Sequence, residues 1–379
     1  MAEGGPRWTR TTYLRGKVAV CRNVNDRAAF LYVRTIGSAV SIAIVLTVAA
    51  CATSSTPSGR ATIAAVRSTT PSTSPSVLNF RCRLPVVSEQ KDAAGAYEAG
   101  FVAFPSGEFV RDLTAPPTPG YFDQAVSTWV PVGRRAVSPD GLHYATTTEG
   151  VVDKLSGTVQ TPATLHVVAA SSGSERVIPL TGLRPQPAAT ALSLEIVGFE
   201  SDAVYGVESG QAGAGELYRI DLSTGSVIDL RGATRPEAVE SGGFWFGGLD
   251  PNANLGAPPS DLERWDLTTG KTTLWFRQPA ADVRFLGLDR TGSALVNVIT
   301  TNPDGSPQSI EIWLVSAPGK QTQINASASA DLGSGEAIGM IADEHGLWFG
   351  SQKGIFLYIA GAGLWKVSNF EGFPANGCS

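Results

Sequence analysis

Three histidines, four cysteines and two methionines in 379 residues leave little from which to build a metal-centred or redox-centred protein. Zinc ribbons and iron–sulfur frameworks need clustered Cys and His ligands, and this chain can scarcely supply one set. Charge is also sparse, at 17% of residues. The formal net charge of -5 hides an asymmetry, because residues 1–50 hold seven Lys/Arg against two Asp/Glu and the remainder is left with -10. Such a body repels a polyphosphate backbone, so no nucleic-acid partner is expected. G-x-S-x-G, H-E-x-x-H, C-x-x-C, Walker A and G-x-G-x-x-G motifs are missing from any context that would support them. No cofactor is therefore expected.

The N-terminus carries an address. Thr35 to Gly59 has no charged residue, and Ile36 to Ala50 reads IGSAVSIAIVLTVAA after Arg22, Arg27 and Arg34. A basic region followed by an apolar core is the pattern of a secretory signal. The core is shorter than the about 20 apolar residues that span a bilayer, although a retained anchor is the competing reading. It ends in Val48-Ala49-Ala50-Cys51, which resembles the bacterial lipobox and implies lipidation at Cys51. Residues 1–50 are thus read as a leader. Residues 1–32 are too long and polar for one, and with no Met between Met1 and Met340 a non-Met start near Val33 would explain them. Residues 51–79 form a Ser/Thr/Pro-rich tract, too poor in apolar groups to offset ordering entropy, and are read as a disordered tether. The folded domain is placed at 80–379.

Glycine and proline are plentiful, at 42 and 24 residues, which favours turns over helices. From Ala136 onward two phrases alternate. One is a polar turn leading into an apolar strand: Ser138 to Tyr144, Glu200 to Tyr205, Glu240 to Phe246, Asp289 to Leu295 and Asp343 to Phe349. The other is a strand ending in a polar glycine turn, and its last glycines, Gly173, Gly225, Gly270, Gly319 and Gly363, step by 52, 45, 49 and 44 residues. That spacing matches one four-stranded propeller blade. Five phrase pairs give five blades, and residues 100–112, 121–126 and 127–132 supply strands for one more. The expectation is all-β, a β-propeller of six blades, with seven the alternative if residues 80–99 and the C-terminus make another. A β-sandwich explains short strands but not this period.

The phrase DEHGLWFGSQKGIFLY (343–358) resembles the repeat of two-component-regulator propellers, and VSPDGLHYAT (137–146) that of TolB-like and WD40-like propellers. The whole resembles propeller lipoproteins of actinobacteria. The resemblance implies an architecture and transfers no catalytic residue.

Once Cys21 leaves with the leader and Cys51 is lipidated, Cys82 and Cys378 remain, one at each edge of the domain. An oxidising compartment permits their pairing, and a propeller brings both chain ends together. Two unrelated thiols are the alternative. His143, His166 and His345 lie in or beside repeat phrases and read as strand or turn residues. Asp250, Asn252, Asn254 and Asp261 space oxygen donors as a calcium loop does, but Leu255 and Pro258-Pro259 fit an ordinary long loop better. Trp245, Phe246, Trp265, Trp275, Phe276, Trp313, Trp348 and Trp365 should mostly fill the wedges between blades. Arg134-Arg135 precede the first of the turn phrases and could line a channel mouth, but a solvated pair is the default reading.

Two functions fit. The first is a lipid-anchored module on the extracytoplasmic face of the cell membrane, binding a protein, glycan or small molecule without turnover. The second is an extracytoplasmic lactonase, streptogramin lyase or glycan lyase. Loops at 181–191, 250–260 and 300–308 vary most, so binding is expected on the face that bears them.

Overall fold

The structure, a computed structural model, describes residues 79–91, 95–153, 155–184, 191–208, 215–233, 235–248, 258–302, 307–324, 332 and 338–379. All belong to the second of the two units into which the chain divides, Pro71–Ser379. The leader, Cys51 and nearly all of the Ser/Thr/Pro tract lie outside the described residues.

The described chain is all-β, apart from short 3-10 turns such as Arg134–Ala136. Each phrase pair forms one antiparallel sheet whose strands pair in chain order. The third sheet is Leu194–Phe199, Ala203–Glu208, Gly215–Asp221 and Val227–Ala233. The fourth is Pro236–Glu240, Gly243–Gly248, Asp261–Asp266 and Thr272–Arg277. Ala281–Leu288, Ala294–Thr301, Pro307–Ala317 and Lys320–Gln323 make the fifth. Gly339–Ala342, Leu347–Ser351, Gly354–Ile359 and Gly363–Ser368 make the sixth. The second sheet, His143–Thr148, Thr164–Ala169 and Glu175–Pro179, is extended inward by a bridge between Val137 and Tyr144. Successive sheets from one repeated unit, set side by side by their inner strands, define a β-propeller.

The phrases fold this way because burial differs across each sheet. Ala203–Glu208 and Gly243–Gly248, both second strands, are buried at every residue. A strand covered on both faces has no wet side, so its sequence is a continuous apolar run. The outer strand Glu175–Pro179 is exposed at all but one position and carries the charged Glu175 and Arg176. Between adjoining sheets the wedge is filled by rings, as where Trp245 on the second strand of the fourth sheet stacks on Phe285 of the inner strand of the fifth at 4.7 Å. The hairpins joining third and fourth strands turn on glycines with positive φ, 74° at Gly225 and 70° at Gly270, a region that costs an L side chain energy. Inside that turn the Asp221 carboxylate accepts the amides of Ser223 and Thr224, at 3.0 and 2.8 Å, and Asp266 repeats the pattern.

The first sheet joins the two ends of the domain. Gly372–Pro374 pairs with Cys82–Lys91, which continues into Tyr97–Phe104 and Glu108–Arg111. Cys82 and Cys378 are disulfide-bonded, with Cα atoms 5.6 Å apart. Beyond the bond, the Arg83 amide donates to the Ser379 carbonyl at 2.9 Å. Residues 100–112 thus share a sheet with both residues 82–91 and the C-terminal strand. Tyr121–Asp123 and Thr128–Val130, expected to extend the same blade, pair with one another as a separate two-stranded hairpin. The C-terminal strand completes the first sheet as its fourth strand, and the Phe122 amide donates to the Ala375 carbonyl just beyond that strand, at 3.1 Å. A further small sheet, Gly150–Val152, Val159–Thr161 and Ala191–Leu192, grows out of the second sheet's connections.

Candidate functional site

The inner strands meet in succession. The Arg134–Ala136 turn contacts Leu194–Phe199, which contacts Pro236–Glu240, and the series continues through Ala281–Leu288 and Gly339–Ala342 to Gly372–Pro374. Because strands alternate in direction, the turns after the inner strands and the glycine hairpins lie at one end of the sheets. The described ends of the connections at 181–191, 250–260 and 300–308 lie at the other, and residues 185–190, 250–257 and 303–306 are outside the described residues.

At the turn end there is a cavity of about 650 Å³, within the range of small-molecule sites. Its charged wall is Arg134, Arg135, Glu200, Glu240 and Asp289, with Tyr121 beside them. A second groove of about 480 Å³ runs outward between the second and third sheets, over His143, Glu175, Arg176 and Leu222. The two share Ser138, Pro139, Phe199 and Ser201, so they are continuous. This is the opposite end from the loop-bearing face anticipated from sequence.

Each acidic residue reaches the cavity for the same reason. Glu200, Glu240 and Asp289 directly follow or end the inner strands of sheets three, four and five, so the repeat places them at one level. Two of them also hold turns: Glu200 accepts the Gly242 amide from the turn of the neighbouring fourth sheet at 3.1 Å, and Asp289 Oδ1 accepts the amides of Thr291 and Ser293 in its own turn, both at 2.8 Å. Arg135 reaches away from its own sheet and donates to the Glu237 carbonyl at 2.6 Å, its Nε lying 3.9 Å from Glu240. Arg134 is exposed and forms no ion pair with any described residue. Tyr121 is held above the ordinary phenol value by burial, against the opposing pull of Arg134.

Arg135 joins this wall to a charged network deeper along the inner strands. Arg235 donates through Nε to Glu237 at 2.7 Å and through its other nitrogens to Asp282 and the Val283 carbonyl. Arg284 Nε donates to Asp282 at 2.8 Å. Burial pushes the Glu237 carboxyl up, and the guanidiniums of Arg235 and Arg135 oppose it. Buried charge is tolerated here because every member found is paired.

The candidates read from sequence are distributed as follows. Asp261 is 1% exposed and its carboxylate is gripped by Arg277, the Nε contact being 2.8 Å. Asp250, Asn252 and Asn254 lie outside the described residues, as does Cys51. Among the described residues no three His, Cys, Asp or Glu side chains group as metal ligands. His345 stacks on Phe80 at 3.9 Å, and His166 contacts Glu175 at 2.5 Å. His143 lines the outer groove. Of the aromatics, Trp245, Phe246, Phe276 and Trp348 are buried, and none of the eight lines either cavity. Arg134 and Arg135 do line the mouth. The acidic wall went unread although its signal was present, since Glu200, Glu240 and Asp289 open three copies of the turn phrase. The network of Arg235, Glu237, Asp282 and Arg284 has no such signal.

No family model matches the chain, and no curated protein does. Among solved structures it is similar to TolB from Acinetobacter baumannii, at 13% identity over 78% of this chain and 67% of that one, with a TM-score of 0.44. It is also similar to Porphyromonas gingivalis dipeptidyl peptidase 4, at 9% identity, 75% and 44% coverage and a TM-score of 0.37. A puromycin-hydrolyzing peptidase of Mycobacterium tuberculosis gives 11%, 77%, 45% and 0.36. The chain spans less than half of either peptidase. The fold stands on the strand pairings described above, independently of these likenesses.

Proposed function

We propose that this chain is a lipid-anchored, extracytoplasmic recognition module, a six-bladed propeller held to the membrane through Cys51 and binding its ligand at the turn end of the inner strands. The observation that supports it is the arrangement of the mouth. Arg134, a guanidinium with no ion-pair partner among the described residues, and the acidic wall stand on hydrogen-bonded turns, above a network whose charges already satisfy one another. Groups held this way are preorganised, which lowers the ordering cost of binding. Each acidic carboxylate is oriented through one oxygen by a turn amide or a guanidinium, which holds it in place for a ligand.

The test uses the full mature chain, screened by thermal shift against peptides, glycans and small metabolites, with Arg134→Gln and Glu240→Gln as controls. Ligands whose shift is lost in either variant support the reading. Metal-dependent turnover of lactone, streptogramin or glycan substrates, abolished by chelator and restored by metal, would replace it with the enzyme reading.

A further inference from the structure

The cavity carries both signs of charge on different walls. Arg134 comes from the turn before the second sheet, with Tyr121 next to it, whereas Glu200, Glu240 and Asp289 come from sheets three to five. Arg135 is already occupied by the Glu237 carbonyl and Glu240. Arg134 is the guanidinium left without an ion-pair partner among the described residues, and its fork matches a carboxylate. A simple anion placed against it would face three carboxylates across the same space. A simple cation at the acidic wall would leave Arg134 unanswered. One ligand satisfies both walls.

Resting on the reading of this cavity as a recognition site, we infer that it binds an α-amino-acid-type zwitterion, a free amino acid or short peptide whose carboxylate meets Arg134 and whose ammonium meets Glu200 and its acidic neighbours. The carboxylate accepts from the guanidinium, with Tyr121 lining the same cavity. The ammonium donates to carboxylate oxygens that the turn amides leave free, since Glu200 uses Oε1 and Asp289 uses Oδ1 for those turns. The adjoining groove over the half-buried Val167 and Leu222 offers apolar surface for the ligand's side chains. Glycans are a poorer match, because Phe199 is only 8% exposed and presents no open ring face for stacking.

The experiment is calorimetric titration of the folded mature domain with trialanine, its C-terminal amide, its N-acetyl form and the doubly blocked peptide, with phosphoethanolamine as a separate arm. Trialanine should bind, and either single block should weaken it about tenfold, the loss expected from one charge-assisted contact. In Arg134→Gln the free and amidated peptides should bind equally, while the N-acetyl penalty persists. In Glu200→Gln, which keeps an acceptor for the Gly242 amide, the N-acetyl penalty should shrink and the amide penalty remain. Circular dichroism confirms that both variants are folded, as expected for Arg134, which no described contact ties down. Equal binding of all four peptides, or none at millimolar concentration, overturns the inference. Preference for phosphoethanolamine over trialanine overturns it too. If the peptides fail while another screened ligand is lost in Arg134→Gln, this inference falls and the recognition reading stands.

Discussion

The carboxylate of Asp123 lies so close to Gly141 that a β-carbon on that glycine would sit 2.8 Å from Oδ1. Gly141 has a φ of 72°, so the turn after the Val137 bridge needs glycine both for its backbone and for this contact. Asp123 is 2% exposed, its Oδ1 accepts the Ala125 amide at 2.9 Å, and its Oδ2 has no hydrogen-bond partner among the described residues. Burial raises its pKa, and the nearby Asp140 carboxylate adds to the rise.

A raised folded-state value means that protonated Asp123 favours the folded form at low pH and that this contribution is lost as pH rises through the folded pKa. Asp123→Asn should therefore stabilise the domain at about pH 7, on the order of 1 kcal/mol for removing a buried unsatisfied charge. The gain should vanish near about pH 3.5, below the unfolded carboxyl value. Thermal unfolding of both proteins across this range measures it, and a pH-independent gain would contradict the assignment.

Cys82→Ser should lower the unfolding midpoint substantially. A bond closing a loop with a sequence separation of 296 restricts the unfolded chain by on the order of 5 kcal/mol in the chain-entropy model, an upper figure in practice. Denaturant titration of oxidised, reduced and Cys82→Ser protein checks this, with the last two expected to coincide.

Gly350→Ala should open the junction of the two chain ends. A β-carbon there would stand 2.2 Å from the Gly372 carbonyl oxygen and 2.7 Å from Phe373 Cα, both backbone atoms that cannot rotate away. A cost of about 1–3 kcal/mol is expected for such overpacking. Hydrogen exchange should quicken at residues 372–379 and in the paired segment Val86 to Ser88, with the third and fourth sheets unchanged.

For the proposed anchor, Cys51→Ala should block lipid attachment, and the protein should shift from the detergent phase to the aqueous phase on partitioning. Globomycin should cause precursor to accumulate in cells making the natural chain. Unchanged processing and partitioning in the variant would reject Cys51 as the lipid site.

The repeated phrases determined much by themselves. A strand covered on both faces must be apolar throughout, and a tight hairpin must turn on glycine, so FWF, LWF and the S-T-G and T-T-G turns specified sheets locally. Cys82 and Cys378 were legible as a pair because elimination left two. The acidic wall was written in the same phrases, since a residue at one register of each repeat must recur at one level of the stack. What only the tertiary structure decided are contacts made between sheets. Arg135 and Glu237 are 102 positions apart, and nothing local requires the one to reach the other. The C-terminal strand takes the inner edge of the first sheet, and Tyr121–Asp123 forms its own hairpin, with Asp123 buried beneath Gly141. Local sequence fixes backbone preference and which face of a strand is apolar. Which repeats come to face one another depends on how the sheets pack and where the chain ends meet, and those contacts set the charge and shape of the cavity.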